Sequence, residues 1–245
     1  PAMGSGGELY ELFPAGTAPT PYINLIINGS FQVSQRKVPT ASGCYCLDRW
    51  FGISEGNLTG GGRVDASTYA NAGTACLAAF ISGNGANSGI LAGQIIDNKT
   101  TLSFRGKSLN LTAGTVSASG NATVTAGLFY SANTSVTNSG LRTTMVSSWS
   151  GNAPVFNSNW TSISNATVTA NTSALTNLSL AGVVPANATV LCVAFWSNKT
   201  MRIGRVGLYP APYTTWNEPD IGEELWRCYY YYFCPRWDER RYGPF

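Results

Sequence analysis

The chain of 245 residues contains no histidine. That absence removes Ser-His-Asp and Cys-His nucleophilic sites and every histidine-ligated metal centre. Charge is scarce too: charged residues make up 11% of the chain, against about 25% in ordinary soluble domains. The formal charge is only +3, and Arg236, Arg240 and Arg241 are interleaved with Asp238 and Glu239, so no basic stripe suited to nucleic acid is present. No apolar run approaches the ~18 residues of a membrane-spanning helix, and membrane insertion is not expected. The nucleotide-binding glycine patterns and the calcium-loop spacing are also missing, so no cofactor and no metal are expected.

The six cysteines, at 44, 46, 76, 192, 228 and 234, form no Cys-x-x-Cys pair. A zinc site would have to use thiolates at irregular spacing. Cys44 and Cys46 share a face if Gly43–Leu47 is a strand, and a bridge between them would be strained. The pattern reads as small buried apolar residues, with a Cys228–Cys234 bridge left open.

Acidic residues number twelve: Glu8, Glu11, Asp48, Glu55, Asp65, Asp97, Glu218, Asp220, Glu223, Glu224, Asp238 and Glu239. A glycosidase-type carboxylate pair is the one hydrolytic chemistry this inventory allows. Asp48 and Asp97 lie in apolar contexts, but Asp48-Arg49-Trp50 reads as a structural ion pair. The chain is expected not to be an enzyme.

What is abundant is Ser, Thr, Asn and Gly, with apolar residues at 44%. Ser and Thr suit strand surfaces, and Gly and Asn suit turns, while helix-forming Glu, Lys and Gln are scarce outside the ends. Turn signals recur about every ten residues, which predicts an all-β fold: an antiparallel two-sheet sandwich of jelly-roll type. The predicted strands are 23–27, 31–33, 50–54, 75–81, 101–104, 108–112, 122–130, 141–147, 162–170, 190–196, 202–209 and 228–233, with one helical turn near 221–225. Residues 1–7 read as an expression-tag remnant, 8–22 as an extended linker, and 23–245 as one domain.

One stretch is repeated. Gly120-Asn-Ala-Thr-Val-Thr-Ala-Gly-Leu-Phe-Tyr resembles Ala186-Asn-Ala-Thr-Val-Leu-Cys-Val-Ala-Phe-Trp, and Asn165-Ala-Thr-Val-Thr-Ala is a shorter copy. Their irregular spacing points to equivalent strands of a sandwich rather than a solenoid. Twelve of the twenty asparagines open an Asn-x-Ser/Thr triplet. An excess of that kind fits Asn opening a turn before a Thr-led strand, with N-glycosylation as the alternative source.

Four blocks carry a resemblance. Asn24-Leu-Ile-Ile-Asn-Gly-Ser-Phe-Gln-Val-Ser-Gln-Arg36 is similar to the N-L-hydrophobic-N-G-D-F-x-x-x-Q-R opening of many bacteriophage tail-fibre and minor tail proteins. Tyr45-Cys-Leu-Asp-Arg-Trp-Phe51 resembles the Y-x-x-D-R-W that follows there. Gln94-Ile-Ile-Asp97 with Thr101-Leu-Ser-Phe104 resembles its Q-x-I-E and T-L-S-F strands. Ile203–Tyr209 and Glu223-Glu-Leu-Trp-Arg-Cys-Tyr-Tyr resemble its closing E-L-x-x-C-x-R-Y-Y. The blocks keep family order over residues 24–233. Ser30 stands where the family has Asp, Val33-Ser34 where it has an aromatic, and residues 117–185 match no family block.

The resemblance implies a jelly-roll domain akin to carbohydrate-binding modules at the distal end of a virion tail fibre. Its implied partner is a host cell-surface glycan or other receptor, and its implied state is often a trimer. A secreted or cell-surface adhesin is the alternative setting. A purely structural fibre domain and a carboxylate-dependent glycan hydrolase are the competing functions. Asn28, Gly29, Phe31, Arg36, Asp48, Arg49 and Trp50 read as scaffold: a turn dipeptide, large apolar rings and a pairable charge set. Sugar binding calls for aromatic faces with a few polar groups. Trp149 and Trp160 are the leading ligand-binding candidates because both sit in polar, loop-like sequence; Asn157, Asn159 and Trp216 complete the set, and Trp196 reads as core. Tyr229, Tyr230, Tyr231 and Tyr232, if in a strand, expose alternate rings and are expected to form an oligomer interface.

Overall fold

The computed structural model describes residues 24–34, 44–56, 58–65, 69–71, 76–82, 88–133 and 144–233. Two antiparallel sheets stack face to face. From the fourth strand onward the chain mostly alternates between them, as in a jelly roll. The strands are β1 (Cys44–Leu47), β2 (Trp50–Ser54), β3 (Leu58–Asp65), β4 (Cys76–Ser82), β5 (Ile90–Ile96), β6 (Ser108–Ser117) and β7 (Ala122–Ser131). They continue as β8 (Val146–Ser150), β9 (Ala153–Phe156), β10 (Thr161–Ala170), β11 (Thr176–Val183), β12 (Val190–Ser197) and β13 (Met201–Pro210). One sheet runs β1-β2-β5-β12-β7-β10, the other β11-β6-β13-β4-β3, and β8-β9 is a separate hairpin.

The core between the sheets is built from alternate residues, as the pleat requires. Leu191, Val193 and Phe195 of β12 and Val124, Ala126 and Leu128 of β7 meet Leu109, Leu111, Ile203 and Leu208 of the opposite sheet. Trp50 lies at its centre, with ring centroids 5.0 Å from Phe31 and 6.2 Å from Phe195.

The six-stranded sheet is also covered on its outer face. Phe51, Ile53, Leu91, Ile95, Phe129 and Cys192 point outward and are buried under Met145, Trp160 and the β8–β9 hairpin. Double coverage explains why β5, Ile-Leu-Ala-Gly-Gln-Ile-Ile, is buried at every position and shows no alternation. It is one of five strands, with β1, β3, β9 and β11, that the turn-and-alternation pattern passed over.

Two segments expected as strands are helical. Thr101–Phe104 belongs to α1 (Asn98–Ser103) and its C-cap. Asp97 caps this helix, its Oδ1 accepting from the Thr100 amide at 2.9 Å, and the Asp-x-x-Thr spacing outweighs the β-branched pair that follows. Cys228–Phe233 ends α2 (Ile221–Phe233), whose first turn is capped by Asp220 Oδ1, accepting from the amides of Gly222 and Glu223. Glu224, Leu225 and Cys228 recur at helical spacing and face inward, Leu225 and Cys228 against Ile27 and Val33. That period, not the run of tyrosines, decides the element.

Residues 25–28 form bends, 29–30 a turn, and 31–34 have no regular structure, so neither expected strand forms there. Position 23, Arg36, residues 141–143 and Cys234 fall outside the described residues, as do the expected tag and linker; the strand expected from 141 is described only as β8. No described helix is long and apolar enough to cross a membrane.

Candidate functional site

The blocks that carry the family resemblance converge on one buried hydrogen-bond knot. Asn28 adopts a left-handed conformation, φ 57°, and its amide nitrogen donates to the Val33 and Asp48 carbonyls, while its side-chain oxygen accepts from the Val33 amide. The Trp50 indole donates to the Asn28 carbonyl at 3.1 Å. Gln94 grips Ile27 from both sides, accepting from its amide at 2.8 Å and donating to its carbonyl at 2.7 Å. Asn24 accepts from the amides of Ile26 and Leu208. A Cβ on Gly29 would collide with the Val206 carbonyl oxygen, so only glycine allows that approach.

From α2, Arg227 donates to the Asn24 carbonyl at 2.6 Å and to Glu224 Oε1 at 2.8 Å. Glu224 is fully buried, and burial pushes its carboxyl above the usual range against the lowering effect of Arg227. Burial likewise pushes the Cys228 thiol up to about 12 and raises Cys192. Cys46, Cys76, Cys192 and Cys228 are buried thiols. A pocket of about 190 Å³ opens beside this knot, between Arg49, Gln94, Asp97 and Arg227. It is smaller than the roughly 300–1,000 Å³ typical of small-molecule sites.

The predicted ligand-binding aromatics are dispersed. Trp160 is 5% exposed and belongs to the cluster under the hairpin. The premise that it had no core to enter fails, because the hairpin and the sheet's outer face supply a second one. Trp149 is half-buried in the same cluster, with its ring over Gly89. Asn157 accepts from the Asn159 amide in a local turn leading to Trp160. Trp216, half-buried, lies in the connection leaving β13 and is not part of that cluster.

Trp196, which reads as core from sequence, is half-buried on the outer face of the sheet. Phe195 and Trp196 are consecutive in β12, so they face opposite ways: Phe195 enters the core and Trp196 sits half-buried on the outer face. Its indole meets Phe156 edge-on at 5.3 Å and leans over Gly127, where a Cβ would come within 3.1 Å of Trp196 Cζ3. Phe129 stacks under Phe156 at 4.3 Å and completes the wall.

Cross-strand register extends this face sideways. Trp196 lies opposite Thr125, Thr125 opposite Thr167, Thr123 opposite Thr169, and Gly127 opposite Asn165. Thr125 Oγ1 and Thr167 Oγ1 are 2.9 Å apart. Asn165, Thr167 and Thr169 are exposed, as is Thr123. The result is an indole at the head of an uncharged hydroxyl and amide ladder, held on three neighbouring strands. β7 and β10 carry two copies of the repeated Ala-Thr-Val-Thr-Ala stretch and β12 follows directly on the third Asn-Ala-Thr, the three strands lying side by side in one sheet. Asn and Thr two residues apart on a strand share a face, which accounts physically for the triplet at Asn165, while Asn121 lies just before β7.

No model of a known protein family and no curated protein matches the chain. Among solved structures it is similar to a CBM4 domain, at 15% identity and TM-score 0.46, over 75% of this chain and 97% of that one. It is similar to the CBM22-1 xylan-binding domain of Paenibacillus barcinonensis Xyn10C, at 8% identity and TM-score 0.45, over 80% and 100%. It also resembles the enzymatically active domain of tailspike protein 4 of bacteriophage CBA120, at 13% identity and TM-score 0.42, covering 77% of this chain but only 21% of that one. What each of those proteins binds or cleaves is a property of that protein.

Proposed function

We propose that the chain is a non-catalytic glycan-binding domain acting as the receptor-binding tip of a phage-type tail fibre outside the cell. The observation that carries the glycan reading is the outer face of β12, β7 and β10. There the half-buried Trp196 lies opposite Thr125, with Thr123 on the same neighbouring strand and Asn165, Thr167 and Thr169 one strand further on, and none of these side chains is charged. A sugar ring offers C–H bonds to an indole face and hydroxyls to neutral donors and acceptors, so an uncharged platform of this kind suits a neutral oligosaccharide. Strands hold the groups rigidly, which limits the ordering cost of binding. The tail-fibre setting rests on the four sequence blocks.

A hydrolase reading finds less support in five of the described carboxylates, which have structural partners. Asp97 and Asp220 cap helices, Glu55 accepts from the Gly89 amide, Glu218 from Gln32, and Glu224 from Arg227. The experiment is an array of neutral oligosaccharides and bacterial surface polysaccharides probed with the purified chain, alongside a reducing-end assay. Retention on a defined neutral glycan without release of reducing ends is expected. Cleavage, or retention only on charged polymers, would overturn the proposal.

A further inference from the structure

The six-stranded sheet ends on β10, and β10 contains a segment that reads alike in both directions. Ala122–Ala126 and Ala166–Ala170 are both Ala-Thr-Val-Thr-Ala, and they pair antiparallel with like opposite like. Ala122 faces Ala170, Thr123 faces Thr169, Val124 faces Val168, Thr125 faces Thr167, and Ala126 faces Ala166. The pair therefore has a local twofold axis between Val124 and Val168. β7 takes one edge of this segment. Alternate residues of a strand send both backbone groups to the other edge, and among the described residues no third strand receives them.

Open edges of this kind are normally guarded by lysine, proline, a bulge or shortness. Thr161–Ala170 is ten residues long, has no charge and no proline, and its one irregularity lies between Ser162 and Ser164, before the palindromic segment. Ala166 and Val168 pack against the core while only partly buried, so the apolar interior reaches the rim. The same five residues already accept an identical antiparallel neighbour with good register, because β7 supplies one.

We propose that this edge pairs with the same edge of a second copy, antiparallel about a twofold axis at Val168. Ala166 then lies opposite the partner's Ala170, Thr167 opposite the partner's Thr169, and Val168 opposite the partner's Val168. Side-chain parity is kept across the contact: threonines continue the outer ladder, and alanine and valine extend the core. Two six-stranded sheets become one continuous sheet. The contact needs no ligand and stands apart from the glycan reading.

The test is sedimentation equilibrium of the whole chain across a wide concentration range, with hydrogen exchange on the same samples. The mass is expected to rise from the 26.0 kDa of one chain towards twice that value, with the amides of Ala166–Ala170 slowing in step. Thr167→Lys with Thr169→Lys sets like charges opposite each other twice across the axis, at exposed positions, and is expected to remain single. Thr167→Lys with Thr169→Glu sets opposite charges there and is expected to restore the pair. A single-chain mass at every concentration, a trimer, doubling without protection of Ala166–Ala170, or undiminished pairing of the double-lysine variant would each overturn the proposal.

Discussion

Replacing Gln94 with leucine tests how the irregular N-terminal segment is held to the sheet. Gln94 is 1% exposed on β5, and its side chain makes two short bonds, to the amide and the carbonyl of Ile27, at 2.8 and 2.7 Å. Leucine keeps most of the volume, so little cavity forms, but both Ile27 groups lose their partner in a dry setting. Leaving a buried donor or acceptor unpaired costs about 1–3 kcal/mol each. Two such groups bring the expected loss to about 2–6 kcal/mol, which for a chain of this size lowers Tm by roughly 4–24 °C. Urea unfolding followed by tryptophan fluorescence should show a lower midpoint at unchanged slope, because the surface exposed on unfolding hardly changes. A loss under about 0.5 kcal/mol, the range of ordinary surface substitutions, would refute the reasoning: the segment would then be held by apolar contact alone.

Other outcomes follow from the same geometry. Gly29→Ala forces a methyl group into the Val206 carbonyl and should cost about 1–3 kcal/mol or more in the same denaturation assay. Trp160→Ala empties a buried site and should cost about 3–5 kcal/mol, so its loss of binding, if seen, would track loss of fold by circular dichroism. Glu224 has a carboxyl raised by burial, so its stabilising contribution is present below its unfolded pKa and declines as pH rises through the folded value. Thermal melts across that window should therefore fall with pH in the native chain and stay flatter in Glu224→Gln, which can still accept from Arg227.

Much of the sandwich is legible in the residues because turn signals bracket alternating strands: β2, β4, β7, β10, β12 and β13 lie close to where the pattern puts them. The strands it hides are hidden for physical reasons. β5 is apolar throughout because both its faces are covered, and β3 carries three consecutive glycines that read as a loop. Helix α2 was masked by its tyrosines, which favour strands when taken singly, while the inward spacing of Glu224, Leu225 and Cys228 sets a helical period. A strand exposing alternate rings was the premise of an interface at Tyr229–Tyr232. The segment is helical, which removes that premise; Tyr229 is half-buried, and the side chains of Tyr230, Tyr231 and Tyr232 lie outside the described residues.

The candidate site was harder to read than the fold. Polar flanks around Trp149 and Trp160 read as marks of exposed rings, yet Trp149, on the hairpin, and Trp160, between the hairpin and β10, both pack into the cluster on the sheet's outer face and are buried to different degrees. The signal for Trp196 was in the sequence: in a Phe-Trp pair on one strand only one ring can face the core. Which of the two does so depends on register: the equivalent phenylalanines of the repeat, Phe129 and Phe195, face opposite sides of the sheet.

Calorimetric titration of one array-selected neutral oligosaccharide into the native chain and into Trp196→Ala, with both folds checked by thermal melting, bears most directly on the glycan-binding reading. Loss of the indole should weaken binding by about tenfold or more, the equivalent of about 1.4 kcal/mol, in a variant that still melts cooperatively, at a lower temperature because the contacts with Phe156 and Phe129 are lost. Equal affinity in the two proteins would place the binding surface elsewhere and contradict the account.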